Sequence, residues 1–279
     1  MNAFRQLLQP PMLMSANSPR VPHQRVPLGT WISSASPLVA EAIGYAGFDW
    51  AVIDMEHSPL ELGGVVALLQ AFGSVKTVPV VRVPGNEPVI FKRVLDAGAT
   101  TVMVPFVQSA AEAMAAVAAT RYPPEGIRGM AGVSRATHFG TLPNYARHAN
   151  AGICVIAQIE SAPALQRLEE IAAVDGIDAL FIGPADLAAS LGHLGESTHA
   201  EVRAAMGQAV ARARVVGKPI GTLATTPEQA AHARAAGFDF VGLGTDLGLL
   251  VHAAQAALAA LRSPDTAVVH TLAAGTHAY

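Results

Sequence analysis

The chain of 279 residues is predicted to fold as a single-domain (β/α)8 TIM barrel of the α/β class. Three observations predict this fold. Short apolar segments alternate with helix-like segments, which favours a parallel sheet covered on both faces. The junction Ala-Gly-Phe-Asp recurs between a helix and a strand, at residues 46–49 and 236–239, with a related form at 97–100. The length fits one barrel domain, and eight repeated units fit a closed barrel better than an open sheet.

Each element follows from its local pattern. The predicted strands are residues 28–33, 48–56, 78–83, 100–106, 153–160, 178–183, 219–224 and 239–244. The predicted helices are residues 36–47, 87–97, 110–121, 164–173, 201–216, 227–236 and 247–262, and a further helix, second in order, begins at about residue 60. Ser36 and Pro37 suit the cap and first turn of the first helix, and glycine after several helices suits a C-terminal cap. Residues 122–150 form a long irregular excursion, expected to be a functional or interface loop.

The barrel domain is assigned to residues 28–262. Residues 1–27 are rich in Pro, Gln and Arg and contain no acidic residue. They have no uninterrupted apolar core of a signal peptide, so we expect a flexible N-terminal arm rather than a secretory signal. Residues 263–279 are expected to form a C-terminal tail.

Composition excludes several classes of function. Hydrophobic residues make up 51% of the chain and charged residues 14%, enough for a large core and some apolar surface buried between subunits. The net charge of -3 and pI near 6.3 argue against a nucleic-acid partner. A single cysteine excludes a disulfide within the chain. No apolar stretch has membrane-spanning length, so no membrane partner and a cytoplasmic location are expected.

Two carboxylates follow apolar strand patterns and are candidate metal ligands. Glu160 ends the fifth predicted strand and Asp186 follows the sixth. The carboxyl ends of barrel strands converge on one site, and two carboxylates at one rim suit a hard divalent cation. Gln158 shares the inward face with Glu160 by strand alternation. It either binds water at the metal or fills the barrel.

His57 is the candidate general base, because it lies just beyond the second strand beside Asp54 and Glu56. A base needs a partner that fixes its tautomer, and Asp96 is a possible one. The other nine histidines show no metal-ligand spacing. Arg82, at the end of the third strand, is placed to clamp a carboxylate and to stabilise a developing enolate oxygen.

Other residues narrow the chemistry. Trp31, at the end of the first strand, either walls the pocket or belongs to the core. Lys76 and Lys218 precede strands and Lys92 lies within a helix, so none is placed for a Schiff base in the barrel mouth. Carbonyl chemistry would therefore use a metal to polarise the oxygen. No nucleotide-binding glycine motif is present.

With these motifs in view, the chain resembles the HpcH/HpaI aldolase family over about residues 27–262. The family comprises metal-dependent, class II pyruvate aldolases, such as those acting on 4-hydroxy-2-oxoheptanedioate and 2-dehydro-3-deoxyglucarate. The most specific similarities are Asp-Met-Glu-His at 54–57, Val-Arg-Val-Pro at 81–84, Tyr-Pro-Pro-Glu-Gly-Ile-Arg-Gly at 122–129, Gln-Ile-Glu at 158–160 and Phe-Ile-Gly-Pro-Ala-Asp-Leu at 181–187.

The resemblance implies a role for each candidate residue. It implies cleavage of 4-hydroxy-2-oxo acids to pyruvate and an aldehyde through a metal-stabilised pyruvate enolate. Glu160 and Asp186 would bind Mg²⁺, Mn²⁺ or Co²⁺, and His57 paired with Asp96 would be the catalytic base. Arg82 would stabilise the enolate. Asp54 and Glu56 would contact water bound to the metal. The substrate-binding residues would be Arg82, Gln158, Gly183, Pro184, Ala185 and Trp31.

The resemblance also implies a homo-oligomer, commonly a hexamer arranged as a trimer of dimers, with the last helix exchanged between subunits. The departures from the family pattern lie mainly in residues 130–139 and 222–226. Both segments are expected to flank the pocket, so the aldehyde partner stays open.

Two other functions are compatible with the same fold. A citrate-lyase-β-like enzyme would share the metal acids and cleave a CoA ester, but CoA calls for a basic binding surface. This chain has only three lysines and scattered arginines. A catalytically inactive barrel used as a binding module would lack the acid pair or the base, and all of these are present.

Overall fold

The chain folds as a closed barrel of eight parallel strands. A computed structural model describes residues 2–9 and 25–262. Neighbouring strands pair in sequence order, and β1 closes the barrel by pairing with β8. The strands are β1 (Leu28–Ile32), β2 (Trp50–Asp54), β3 (Val78–Arg82), β4 (Thr101–Val104), β5 (Cys154–Ile159), β6 (Ala179–Ile182), β7 (Ile220–Ala224) and β8 (Phe240–Thr245). The predicted (β/α)8 fold is confirmed.

Twelve helices occur in the described residues, most of them on the outside of the barrel. They are α1 (Ala3–Leu8), α2 (Pro37–Tyr45), α3 (Leu62–Phe72), α4 (Pro88–Asp96), α5 (Ala110–Thr120), α6 (Tyr145–Gly152), α7 (Ala162–Gln166), α8 (Leu168–Ala172), α9 (Pro184–Ser190), α10 (Ala200–Val215), α11 (Pro227–Ala236) and α12 (Asp246–Arg262). None of them has the length and apolar character needed to cross a bilayer.

Several element boundaries differ from the sequence prediction. The helix predicted at 164–173 is divided into α7 and α8 at Arg167, whose backbone leaves the helical region. Helices α6 and α9 were not predicted, because eight and seven residues are too few to show a clear helical period. Strand β4 ends at Val104, two residues early, because Phe106 takes a left-handed backbone conformation with φ of 48°.

Alternating strand residues divide the core into two layers. One layer fills the barrel with large side chains, including Trp50, Met103, Ile156, Phe181 and Phe240. The other layer packs the outward strand residues against the helices. The same alternation decides which polar residues point into the barrel mouth, because residues two apart share a face.

Helix α1 closes the N-terminal end of the barrel, so the prediction of a flexible arm over residues 1–27 is wrong for residues 2–9. Phe4 is fully buried and makes edge-on ring contacts with Trp50 and Phe240. Asn2 caps the helix and donates to the carbonyl of Thr100 at 2.9 Å. Burial of the Phe4 ring, the hydrogen bonds of Asn2 and the ion pair of Arg5 with Asp178 at 2.7 Å together offset the entropy cost of ordering this segment. Residues 10–24 of the predicted arm and the predicted tail, 263–279, lie outside the described residues.

The recurring helix-to-strand junction works as the sequence predicts. Gly47 and Gly237 have φ of 93° and 94°, a left-handed conformation that glycine adopts without steric cost. The aspartate two residues later then points at the start of a neighbouring strand. Asp49 accepts from the backbone N–H of Leu28, and Asp239 from that of Ile220, each at 2.9 Å. These contacts fix the barrel end opposite to the mouth.

Helix α12 begins on the barrel and then leaves it. Its first residue, Asp246, is buried and accepts hydrogen bonds from the backbone N–H groups of Ser33 and Ser34. The rest of the helix has no buried residue. Its exposed apolar side chains are Leu247, Leu250, Val251, Leu258 and Leu261.

Candidate active site

A layer of polar side chains, which includes Arg82 and Gln158, lies at the C-terminal mouth of the barrel because strand residues alternate in direction. Arg82 lies two residues beyond Val80, and Gln158 lies two residues beyond Ile156, and both Val80 and Ile156 point into the barrel interior. The polar layer borders a cleft of about 690 Å³. The predicted site residues that line this cleft are Trp31, Asp54, His57, Arg82, Gln158, Glu160, Gly183, Pro184, Ala185 and Asp186.

Arg82 is held rigidly in the mouth by two acids. Its guanidinium makes a two-point contact with Asp54, with nitrogen–oxygen distances of 2.9 and 2.7 Å. Its Nη1 lies 2.9 Å from Oε2 of Glu56, an ion pair whose angles fall outside those of a hydrogen bond. Burial alone would lower the pKa of Arg82, but the hydrogen bonds and charge of Asp54 raise it overall. A fixed, permanently charged fork is suited to binding an anionic oxygen.

Trp31 serves both roles that the sequence left open. It is buried against Trp50 and Phe181 in the barrel interior and also lines the cleft. The carbon at the centre of the Arg82 guanidinium lies 6.0 Å from the centre of the Trp31 ring. The ring therefore forms the floor of the site beneath the guanidinium.

Glu160 is a buried carboxylate, and its hydrogen-bond donors among residues 2–9 and 25–262 are neutral groups. The backbone N–H of Phe106 donates to it at 3.0 Å and Nε2 of Gln158 at 2.7 Å. Burial raises the pKa of Glu160 to about 7, and the charges of Asp186 and Glu56 act in the same direction. The left-handed backbone at Phe106, a conformation that costs roughly 1–3 kcal/mol, accompanies this N–H contact. Sequence reasoning missed Phe106, because a backbone donor leaves no residue signature.

Gly183 and helix α9 position the second acid. A Cβ at Gly183 would lie 2.2 Å from Oε1 of Glu160, so no larger residue fits while Glu160 keeps its place. Pro184 then begins α9, and Asp186 follows in its first turn, partly exposed to the cleft. The segment thus brings Asp186 to the rim beside Glu160.

The donor set in the mouth fits a hard divalent cation. Burial raises the pKa of both Glu160 and Glu56, and the nearby charge of Asp186 raises each of these two pKa values further. The nearby cation, Arg82, is already paired. Oε1 of Gln158 is buried and has no hydrogen-bond partner in the described part of the chain. Excess negative charge and oxygen-only ligands are the features that Mg²⁺ and Mn²⁺ select.

His57 stands at the open edge of the mouth. Its side chain is 64% exposed, and its Nε2 lies 3.9 Å from Oε2 of Glu56. Within the described chain no hydrogen bond joins His57 to Asp96. Asp96 instead pairs with the buried Arg128 at 2.8 Å. The expected His57–Asp96 pair is therefore not formed within one chain, and Glu56 is the carboxylate found beside His57.

The motif at 122–129 has a packing role in the single chain. The Arg128 guanidinium lies 4.4 Å from the centre of the Tyr122 ring, and its side chain is fully buried. The Pro123–Pro124 bond is cis. This contact and the Asp96 pair fasten the long excursion to the end of α4.

The outer part of the cleft includes one predicted segment and several residues that were not predicted. Residues 222–225, part of a predicted departure segment, do line the cleft, together with Ser33, Ser197, Thr198, Arg203, Gln229 and His232. None of the residues 130–139 lines it within the described chain, so the expectation for that segment is wrong for a single subunit. The outer residues come mainly from α10, α11 and the segment before α10, where helix faces carry no strand-end signal.

Three comparisons with known proteins agree with one another. A family model described as HpcH/HpaI aldolase/citrate lyase matches residues 28–253. The 2-dehydro-3,6-dideoxy-6-sulfogluconate aldolase of Pseudomonas putida is 47% identical over 239 residues, covering 86% of this chain and 94% of that protein. A pyruvate aldolase of Rhizobium etli is 48% identical over 229 residues, covering 82% and 90%.

A solved structure extends the similarity to the fold. The crystal structure of an HpcH/HpaI aldolase/citrate lyase family protein from Burkholderia cenocepacia J2315 superposes with a TM-score of 0.87 at 40% identity. The match covers 94% of this chain and all of that one.

Proposed function

This chain belongs to the HpcH/HpaI aldolase/citrate lyase family, and on that premise we propose that it is a class II pyruvate aldolase. The reaction is the reversible cleavage of a 4-hydroxy-2-oxo acid to pyruvate and an aldehyde, which makes the enzyme a carbon–carbon lyase. The observation that carries the proposal is the meeting of Glu160, Asp186, Arg82 and His57 at one cleft.

Glu160 and Asp186 would hold a divalent cation, Mg²⁺, Mn²⁺ or Co²⁺. When bound, the ion acts as a Lewis acid that polarises the 2-oxo group and stabilises negative charge on its oxygen. Asp54 and Glu56 would support the site indirectly, because they hold Arg82 in place and add negative charge to the barrel mouth. The burial of the Glu160 carboxylate, whose hydrogen-bond donors in the described residues carry no charge, supports its role as a metal ligand.

His57 would transfer the proton, and Arg82 would stabilise the enolate. His57 takes the proton from the C4 hydroxyl, and the electrons of that O–H bond form the aldehyde carbonyl. The C3–C4 bond breaks, and its electrons remain on the pyruvate part as an enolate. Arg82 donates hydrogen bonds to this anion. The proton that His57 has taken, passed on directly or through solvent water, is then added at C3, which gives pyruvate and restores the base. The exposure of His57 supports its role, since it can exchange its proton with water.

The rest of the cleft would bind the substrate carbon chain. Trp31, Gln158 and the segment Gly183, Pro184 and Ala185 line the inner part, where the 2-oxo acid lies. The outer part would take the aldehyde. Arg203 brings a positive charge there and is the feature that favours an aldehyde with a polar or acidic end. The aldolase from Pseudomonas putida is named for a sulfonated sugar acid.

The oligomer and the location are also proposals. We expect a homo-oligomer, a hexamer built as a trimer of dimers, in which α12 is exchanged. The apolar side chains of α12 that remain exposed in one chain support exchange. We expect the enzyme in the cytoplasm. The alternative, cleavage of a CoA ester, gains no support from the cleft, because no lysine lies among its lining residues.

Pyruvate release tests the proposed function. The full chain is assayed on several 4-hydroxy-2-oxo acids after EDTA treatment, and again after Mg²⁺ or Mn²⁺ is restored. We expect activity to be lost with chelator and recovered with metal, and to be absent in Glu160→Ala/Asp186→Ala. Activity that survives complete metal removal would overturn the mechanism. Cleavage of a CoA ester without any cleavage of the oxo acids would overturn the substrate class.

A further inference from the structure

A second group of side chains of the types that bind metals lies between α9 and α10, apart from the acids Glu56, Glu160 and Asp186 at the barrel mouth. His193, Glu196 and His199 each offer a ligand atom, and these atoms lie within 4.8 Å of one another. The sequence alone gave no sign of this group, since the three residues do not follow a familiar ligand motif. Together they supply two imidazoles and one carboxylate.

Two consecutive turns bring the three side chains together. The N–H of Glu196 donates to the carbonyl of His193 at 2.9 Å, and the N–H of His199 to that of Glu196 at 2.8 Å. Gly192 and Gly195 have φ of 88° and 81°, a backbone that other residues rarely adopt. The two turns together bring the three ligand atoms within 4.8 Å of one another.

The two imidazole rings lie face to face. The rings of His193 and His199 stack with centres 3.6 Å apart and an angle of 21° between their planes. Because the lone pair of an imidazole nitrogen lies in the plane of the ring, binding one ion through both rings requires one of these partly exposed side chains to turn. Nε2 of His193 lies 2.8 Å from Oε2 of Glu201. A carboxylate accepts hydrogen bonds, so Nε2 of His193 is the donor in this contact, and Nδ1 is the ring nitrogen left to bind an ion. This is the carboxylate–histidine–metal arrangement common in metal sites.

The hydrogen bond to Nδ1 of His199 is weak enough for a metal ion to replace it. Nδ1 of His199 accepts a long hydrogen bond, 3.3 Å, from the backbone N–H of Glu201. A cation would replace this donor. The start of α10 disfavours a cation through the helix dipole, but the carboxylates of Glu196 and Glu201 offset that field.

We propose that His193, Glu196 and His199 form a second divalent-metal site, selective for a transition metal of the Zn²⁺ class. Imidazole ligands favour Zn²⁺ over Mg²⁺, whereas the oxygen-only mouth favours the harder ion. Ser197 and Thr198, between the ligands, line the cleft. An ion bound here fastens that edge of the cleft. The proposal is independent of the aldolase reaction.

Zinc titration of the metal-stripped full chain tests the site. The background is Glu160→Ala/Asp186→Ala, so that the mouth acids contribute no ligands, and Zn²⁺ binding is followed by calorimetry. We expect one tight equivalent per chain. Adding His193→Ala/His199→Ala should raise the Kd by at least about tenfold, since loss of mere supporting contacts already costs 10–100-fold.

The matched control removes two other exposed histidines, with His148→Ala/His252→Ala in the same background. It should keep the zinc equivalent. Equal zinc binding with and without the site histidines would overturn the proposal, as would an equal loss in the control. Should the background variant fail to fold, the count is made in the otherwise wild-type chain with Glu196→Gln, which should weaken one zinc equivalent. Undiminished zinc binding there would also overturn it.

Discussion

The buried carboxyl of Glu160 makes the stability of the metal-free protein depend on pH. Its pKa in the folded chain is about 7, against 4.5 for an ordinary glutamate. The folded state therefore binds the proton more tightly than the unfolded chain between these values. The free energy of unfolding consequently falls as pH rises through this window, because ionisation costs more in the folded protein.

The size of the effect follows from the pKa difference. Each pKa unit corresponds to about 1.4 kcal/mol, so the shift of Glu160 gives about 3 kcal/mol over the whole window. Between pH 5 and 8 we expect roughly 2–3 kcal/mol of it. Because Glu160 is only 2% exposed, solvent screening reduces this value little.

Urea unfolding with EDTA present measures this effect. Wild type and Glu160→Gln are compared at equal protein concentration from pH 5 to pH 8, so that titrations common to both proteins cancel. We expect the stability of wild type relative to the variant to fall as pH rises. A difference that stays constant across the range would refute the buried-acid account. Added Mg²⁺ should reverse the trend, since the ion binds the ionised carboxylate.

Three further predictions concern other parts of the molecule. His57→Ala should lower kcat about 10²–10⁴-fold without changing urea unfolding, because the side chain is largely exposed; an unchanged kcat would remove His57 from the reaction. Arg82→Lys should lower kcat about 10²–10³-fold, because lysine cannot make the two-point contact with Asp54 that fixes the donor; steady-state assays with near-normal kcat would contradict this. Phe4→Ala should destabilise the fold by about 3–5 kcal/mol in urea unfolding, whereas a flexible arm would give no change.

The sequence predicts the barrel and its mouth well for a physical reason. Strand periodicity is local, and the convergence of strand ends follows once the barrel is assumed. Asp54, Arg82, Gln158 and Glu160 could therefore be assigned to one cleft from the pattern alone. Their roles as ligand, base or clamp stay predictions that the experiments above test.

Features that depend on distant contacts were not predictable. Helix α1 is ordered by contacts with residues about a hundred or more positions away, such as Thr100 and Asp178. Asp96 was assigned to His57, but the fold brings Arg128 to it instead. The histidine group between α9 and α10 depends on two tight turns, which sequence spacing does not reveal.

Exchange of the pyruvate methyl protons with deuterium tests the central claim most directly, because it reports enolate formation without any knowledge of the aldehyde. The full chain is incubated with pyruvate in D₂O and followed by proton NMR. We predict exchange that requires Mg²⁺ or Mn²⁺, stops with EDTA and is lost in Glu160→Ala/Asp186→Ala. Exchange at the same rate without metal, or no exchange in a metal-loaded wild-type protein, would contradict the account.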